Sequence, residues 1–146
     1  MKRESLPSNE EALCRVVVDT NLWISFLIGN RLEGFLDLLG NPWFEPVSSQ
    51  QLNEEILRVA RRPKFHDFFN EEDVNRLEEW MTSHCTMVEI GEIPSRCRDP
   101  KDDFLLELAV QSNAIYLVSG DEDLLELGQI GDCKIMTYAQ FKAEWS

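Results

Sequence analysis

Asp19, Glu55, Asp102 and Asp121 are spread along the chain, and each stands where a strand is expected to end or a helix to begin. Gathered at one edge of a sheet, the four would form a site for divalent metal ions. Carboxylates packed within a few ångströms of one another cannot all stay ionised without cations. Mg²⁺ or Mn²⁺ suits an all-oxygen cluster that supplies a few carboxylates and leaves room for water. Two such ions about 4 Å apart activate a water and stabilise the leaving oxygen of a phosphodiester. That chemistry needs no histidine and no cysteine, and the chain offers neither in a suitable place.

The elements that would position these acids follow from the apolar pattern. Arg15 to Val18 and Ala114 to Val118 are short, non-alternating β-branched or apolar runs, as expected of strands buried on both faces of a parallel sheet. Phe44 to Val47, Thr86 to Ile90 and Lys134 to Met136 are weaker strands, and Pro46 predicts that the first pairs poorly or ends early. Between them lie helical stripes. One is Leu32, Phe35, Leu36 and Leu39, closed by Gly40; another is Val74, Leu77 and Met81 after an Asn70 cap. A third, Leu105, Leu108 and Ala109, follows Asp99-Pro100, and Tyr138 to Trp145 closes the chain with Thr137 as its cap. Strands alternating with helices give an α/β fold with a mostly parallel sheet, whose ligand sites lie outside the carboxyl ends of the strands.

Helical phase then separates neighbouring acids. Leu52, Glu55, Ile56 and Val59 share one stripe, so Glu55 lies with the buried residues and Glu54 is turned to solvent. A carboxylate so placed is costly unless something compensates it. Asp102 shares its stripe with Leu105, Leu106 and Ala109, whereas Asp103 shares one with Glu107. Asp102 is therefore expected to face the sheet edge, and Asp103 solvent or an outer layer of the site. Asp99 caps the preceding loop as a further outer ligand. Asp121 repeats after the second buried strand the placement of Asp19 after the first, with Gly120 allowing a tight turn and Asp123 within reach of the same mouth. Plain structural roles stay open for each: Asp19 and Asp121 as N-caps, Glu55 as a boundary acid, Asp102 and Asp103 as first-turn acids favouring the helix dipole.

Bulk properties bound the reading. With 146 residues, 43% hydrophobic and 10% aromatic, the chain fits one soluble domain over 14–146 behind a polar, frayed extension over 1–13. No apolar run approaches the ~18 residues of a membrane span, and the N-terminus lacks the apolar region of a signal peptide. The four cysteines, Cys14, Cys85, Cys97 and Cys133, form no CxxC pair and read as small apolar residues of a reducing cytosol. His66 and His84 are isolated bystanders. The net charge of −13, from 27 acids against 14 bases, repels a phosphate backbone at long range unless metal ions and a local basic patch reverse the sign. Arg61, Arg62 and Lys64 are the compact basic cluster, placed to hold a phosphate backbone or simply to complement a helix C-terminus.

The ordered segments VVVDTNLWIS, SSQQLNEEILRVARRPKF, RDPKDDFLLELA and IYLVSGDEDLLEL resemble the PIN-domain family, most closely the bacterial and archaeal branch described as toxins of toxin–antitoxin pairs. The similarity runs from Arg15 to Phe141. It implies a three-layer α/β/α fold and a Mg²⁺- or Mn²⁺-dependent ribonuclease acting on single-stranded RNA, with an antitoxin as partner. By position, Asp19, Glu55, Asp102 and Asp121 match the family's acidic quartet, Asp123 its frequent accessory acid, and Asn21 the polar residue after the first Asp. Ser119 stands where Thr is commoner and still supplies a hydroxyl near the metal. A homodimer is expected from Trp43, Phe68 and Phe69, which exceed the apolar needs of one domain. From another class, an interaction module with a decayed site would use its acidic surface to bind a basic protein. An aspartyl-nucleophile phosphatase would want an acid where Asn21 stands, and a receiver domain a lysine that only Lys134 could supply; both are disfavoured.

Overall fold

Val16, Val17 and Val18 carry the centre of the sheet. All three are buried on a five-residue strand, β1 (Cys14–Val18), and have parallel neighbours on either side. A computed structural model describes residues 13–94 and 100–145. After β1 come α1 (Thr20–Ile28), α2 (Leu32–Leu39), β2 (Phe44–Ser48), α3 (Gln50–Ala60), a 3₁₀ turn (Pro63–Phe65) and α4 (Glu71–His84). The chain continues through β3 (Thr86–Met87), α5 (Pro100–Gln111), β4 (Tyr116–Val118), α6 (Glu122–Leu127), β5 (Gln129–Ile130), β6 (Cys133–Met136) and α7 (Tyr138–Trp145).

The strand order is β3-β2-β1-β4-β6-β5, parallel throughout except for β5. Helices cover both faces, giving the three-layer α/β/α architecture. Val16 and Val18 share one face with Trp23, Leu52 and Met81 of α1, α3 and α4. Val17 and Leu117 point the other way by the period of two and are fully buried. On the first face Phe26, Phe35 and Tyr138 pack edge-on with centroids 4.8 and 5.2 Å from the tyrosine ring, joining α1, α2 and α7. The strand order also decides where a ligand can sit. From β1 the chain steps outward to β2 and β3, then crosses to β4 on the other side of β1. A sheet's ligand crevice opens at such a reversal, at the carboxyl ends of the two strands. Here those strands are β1 and β4.

Local signals set the helix starts. The Ser49 hydroxyl accepts from the Leu52 N–H (3.1 Å) to cap α3, the segment that bears Glu55. Asn70 and Asp73 form a reciprocal capping box on α4, and Thr137 and Gln140 another on α7. Several expectations are corrected. β2 runs through Pro46 to Ser48, because pairing with β3 begins only at Val47 and leaves Pro46 on an open edge that tolerates a missing N–H. The strand expected over Thr86 to Ile90 is only Thr86–Met87, the one expected from Ala114 starts at Tyr116, and β6 starts one residue earlier, at Cys133. The hairpin β5–β6 has no periodic signal; Gly131, at φ 56°, supplies its turn. Trp43 and Phe69 are buried in the core, so of the residues expected to make a dimer face only Phe68 is exposed, at 58%. Burial pushes the thiols of Cys85 and Cys133 up to about 12, so both behave as apolar fillers; Cys97 lies outside the described residues. Among the described residues no helix is long and apolar enough to cross a membrane.

Candidate metal centre

Asp19 directly follows β1, and its N–H donates to the Val118 carbonyl (3.0 Å), which fixes it beside the end of β4. One residue past β4, Ser119 is fully buried. Its hydroxyl donates to Asp19 Oδ2 (2.8 Å) and accepts from the Asp121 N–H (3.0 Å). A single side chain thus ties together the acids at the ends of the two central strands. Asp121 Oδ1 accepts from Leu124 N (3.1 Å) and caps α6, and Asp123 lies in the first turn of that helix. Among the described residues, Asp102, Asp121 and Asp123 each offer a carboxylate oxygen, all within 4.8 Å of one another. Asp102 comes from the first turn of α5, so two helix starts converge on one point, where partial positive charge favours anions.

Glu55 enters from α3. It is part-buried, and its Oε2 accepts from the Thr20 hydroxyl (2.7 Å); Glu54 is exposed and takes a hydrogen bond from Gln50 (3.0 Å) instead. The helical stripe therefore separates the two correctly. Asp19, Asn21, Glu55, Asp102 and Asp121 all line one cleft of about 250 Å³. The capping roles and the clustering coexist: Asp19 and Asp121 cap α1 and α6 and still face this cleft.

Other expectations change. Asp103 does not face solvent: it and Glu107 are buried at 7% and 8% exposure. Gln111, further along the same helix face, accepts from the Gly91 N–H (2.7 Å), donates to the Glu92 carbonyl (3.3 Å) and donates to Glu107 (3.1 Å). Arg61 is drawn to α4, bonding Glu71 (2.9 Å) and Glu78 (3.3 Å), and Lys64 sits over the Phe65 ring at 5.1 Å. Of the three cluster cations only Arg62 lines the cleft. Asp99 lies outside the described residues. Three residues were missed: Thr20 holds Glu55, while Lys101 and Phe104 line the cleft. Lys101 had a signal, being a cation beside Asp102 in the same first turn.

Burial raises the Asp19 carboxyl above its ordinary value of 3.8. The Ser119 hydroxyl and the Asn21 N–H oppose that rise, and the charges of Asp121 and Glu55 add to it. The consequence for stability has a definite sign. Between 3.8 and the raised folded value, the folded chain binds more protons than the unfolded one, so metal-free protein loses stability from this group as pH rises through that window. Urea denaturation at stepped pH should show Asp19→Asn flattening this part of the curve; identical curves for both proteins would refute the shift.

A family model described as PIN domain matches residues 15–123, a span that contains every acid lining the cleft. The chain belongs to the PIN-domain family. An uncharacterized protein of Methanocaldococcus jannaschii is 31% identical over 123 residues, covering 81% of this chain and 77% of the relative. PIN domains are typically metal-dependent nucleases. The donors of this PIN domain fit a divalent cation: they are all oxygens, three converge within 4.8 Å, and Asp19 is buried among like charges that a cation would neutralise.

Proposed function

We propose that this PIN domain is a Mg²⁺- or Mn²⁺-dependent endoribonuclease that hydrolyses phosphodiester bonds of single-stranded RNA. The observation that carries the reading is the convergence of Asp102, Asp121 and Asp123 beside Asp19 and Glu55 at the β1–β4 switch point. Asp19, Asp102, Asp121 and Asp123 would hold the ion, which when bound supplies Lewis acidity and lowers the pKa of water. The chain's own side chains do the rest. Ser119 and the Asn21 N–H fix the rotamer of Asp19. Thr20 donates to one oxygen of Glu55, setting the orientation of a carboxylate suited to accept a proton from the attacking water. The overall charge of −13 is offset locally, since Arg62, Lys101 and a bound divalent cation together would largely neutralise the carboxylates of the cleft.

Labelled single-stranded RNA incubated with Mn²⁺ should be cut by the wild type, and Asp19→Asn should slow cutting about a hundredfold while melting cooperatively. Undiminished cutting by the variant overturns the assignment. Absence of Mn²⁺ binding at millimolar concentration would instead favour an acidic interaction module. The role of toxin in a toxin–antitoxin pair is the finer part of this reading and rests on the resemblance of the four sequence segments. Induced expression should then arrest growth, and Asp19→Asn should relieve the arrest; equal growth with and without induction of the wild type removes that role.

A further inference from the structure

The cleft carries three side chains that a metal centre does not need. Phe104 lies on α5 between the buried Asp103 and Leu105, yet it is only half-buried and lines the cleft. Lys101 is three residues earlier on the same helix face and lines the cleft with it. Two residues past the end of α3, Arg62 also lines the cleft. Arg15, Arg61 and Arg76 each pair with a glutamate, but among the described residues no carboxylate pairs with Arg62, although it lines an acidic cleft. An aromatic face and a cation along one groove match the needs of an unpaired nucleic-acid strand, whose bases stack on the ring while its phosphates meet the charge.

We infer that Phe104 is a base-stacking platform and Arg62 a phosphate contact, and that together they select an unpaired strand over a duplex. The inference rests on the nuclease reading of the cleft and adds what the acids cannot give. Carboxylates and their cation act on any phosphodiester they reach. A ring in the cleft rewards only a base whose face is free, and in a duplex both faces are taken by neighbouring base pairs.

The test is fluorescence anisotropy of a short labelled oligoribonucleotide in Ca²⁺, read for wild type, Phe104→Leu, Phe104→Trp and Arg62→Ala. A series of strands with an abasic site moved along the sequence is read in parallel. Phe104→Leu should bind about tenfold more weakly, and Phe104→Trp should restore binding. An abasic site at the stacked position should weaken the wild type about tenfold and leave Phe104→Leu unchanged, a non-additivity that a merely structural role would not produce. Arg62→Ala should reduce the slope of log affinity against log salt by about 0.7. The inference is overturned if wild type and Phe104→Leu respond alike to every abasic position, or if the salt slope does not move. Should Phe104→Leu melt early, the wild-type scan still decides, because no abasic position weakening its binding overturns the platform. Wild type that shows these binding signatures but cuts nothing in Mn²⁺ refutes the nuclease reading alone. Cutting that is indifferent to both substitutions refutes this inference alone.

Discussion

Asp121→Asn is expected to abolish measurable RNA cleavage in Mn²⁺, a loss of at least about a hundredfold, while leaving the fold intact. The floor follows from metal sites in general: partners one shell beyond the ligands cost about 10–100-fold when removed, and Asp121 is placed to be a ligand. The fold should survive because asparagine is as good an N-cap as aspartate, so the bond to the Leu124 N–H that starts α6 persists. The Ser119 bridge to the Asp121 backbone N–H is indifferent to the side chain and persists as well. What is lost is the charge and one of the three carboxylates that converge within 4.8 Å. Gel-resolved cleavage alongside circular dichroism melting checks both halves. Full activity in the variant would place the chemistry elsewhere.

Divalent metal should raise the melting temperature by several degrees. Only the folded chain brings α5 and α6 together at the ends of β1 and β4, so the unfolded chain has no comparable site. Metal at a hundred times its dissociation constant stabilises by about 2.7 kcal/mol. For a chain of this size each kcal/mol moves the midpoint by about 2–4 °C, giving a rise of roughly 5–10 °C that EDTA reverses. Asp102→Asn should lose most of that rise. Without metal the same variant should melt no lower than the wild type, since it relieves like-charge repulsion in the cluster. A midpoint that ignores Mn²⁺ and EDTA would mean that the carboxylates hold no ion in the folded state.

Much of this site was legible because two simple periodicities governed it. The valine run of β1 and the apolar run of β4 named the buried strands, and the residues just beyond them had to lie at the sheet's carboxyl edge. The α3 stripe separated Glu55 from Glu54 by exposure alone. For Asp103 the same test left solvent or an outer layer of the site open, and its burial excludes solvent. Phase around a helix identifies its sides but not what covers them, and here a side that composition marks as charged is buried. Arg61 and Lys64 failed for a related reason: adjacent cations diverge, one to the glutamates of α4 and one onto Phe65, and only tertiary structure decides which of three reaches the cleft. Trp43 and Phe69 looked surplus because the hydrophobic core they join is assembled from elements distant in sequence. Ser119 drew notice only as a hydroxyl near a metal, whereas its burial between Asp19 and the Asp121 backbone makes it the joint of the two strand ends.

The central claim is that these acids hold one ion together. Anomalous diffraction from crystals soaked in Mn²⁺ tests it most directly. The account predicts a Mn²⁺ peak in ligating contact with Asp102 and Asp121, at the cleft lined by Asp19 and Glu55. A map from well-occupied crystals with no peak there, or with its Mn²⁺ bound away from these carboxylates, would contradict it.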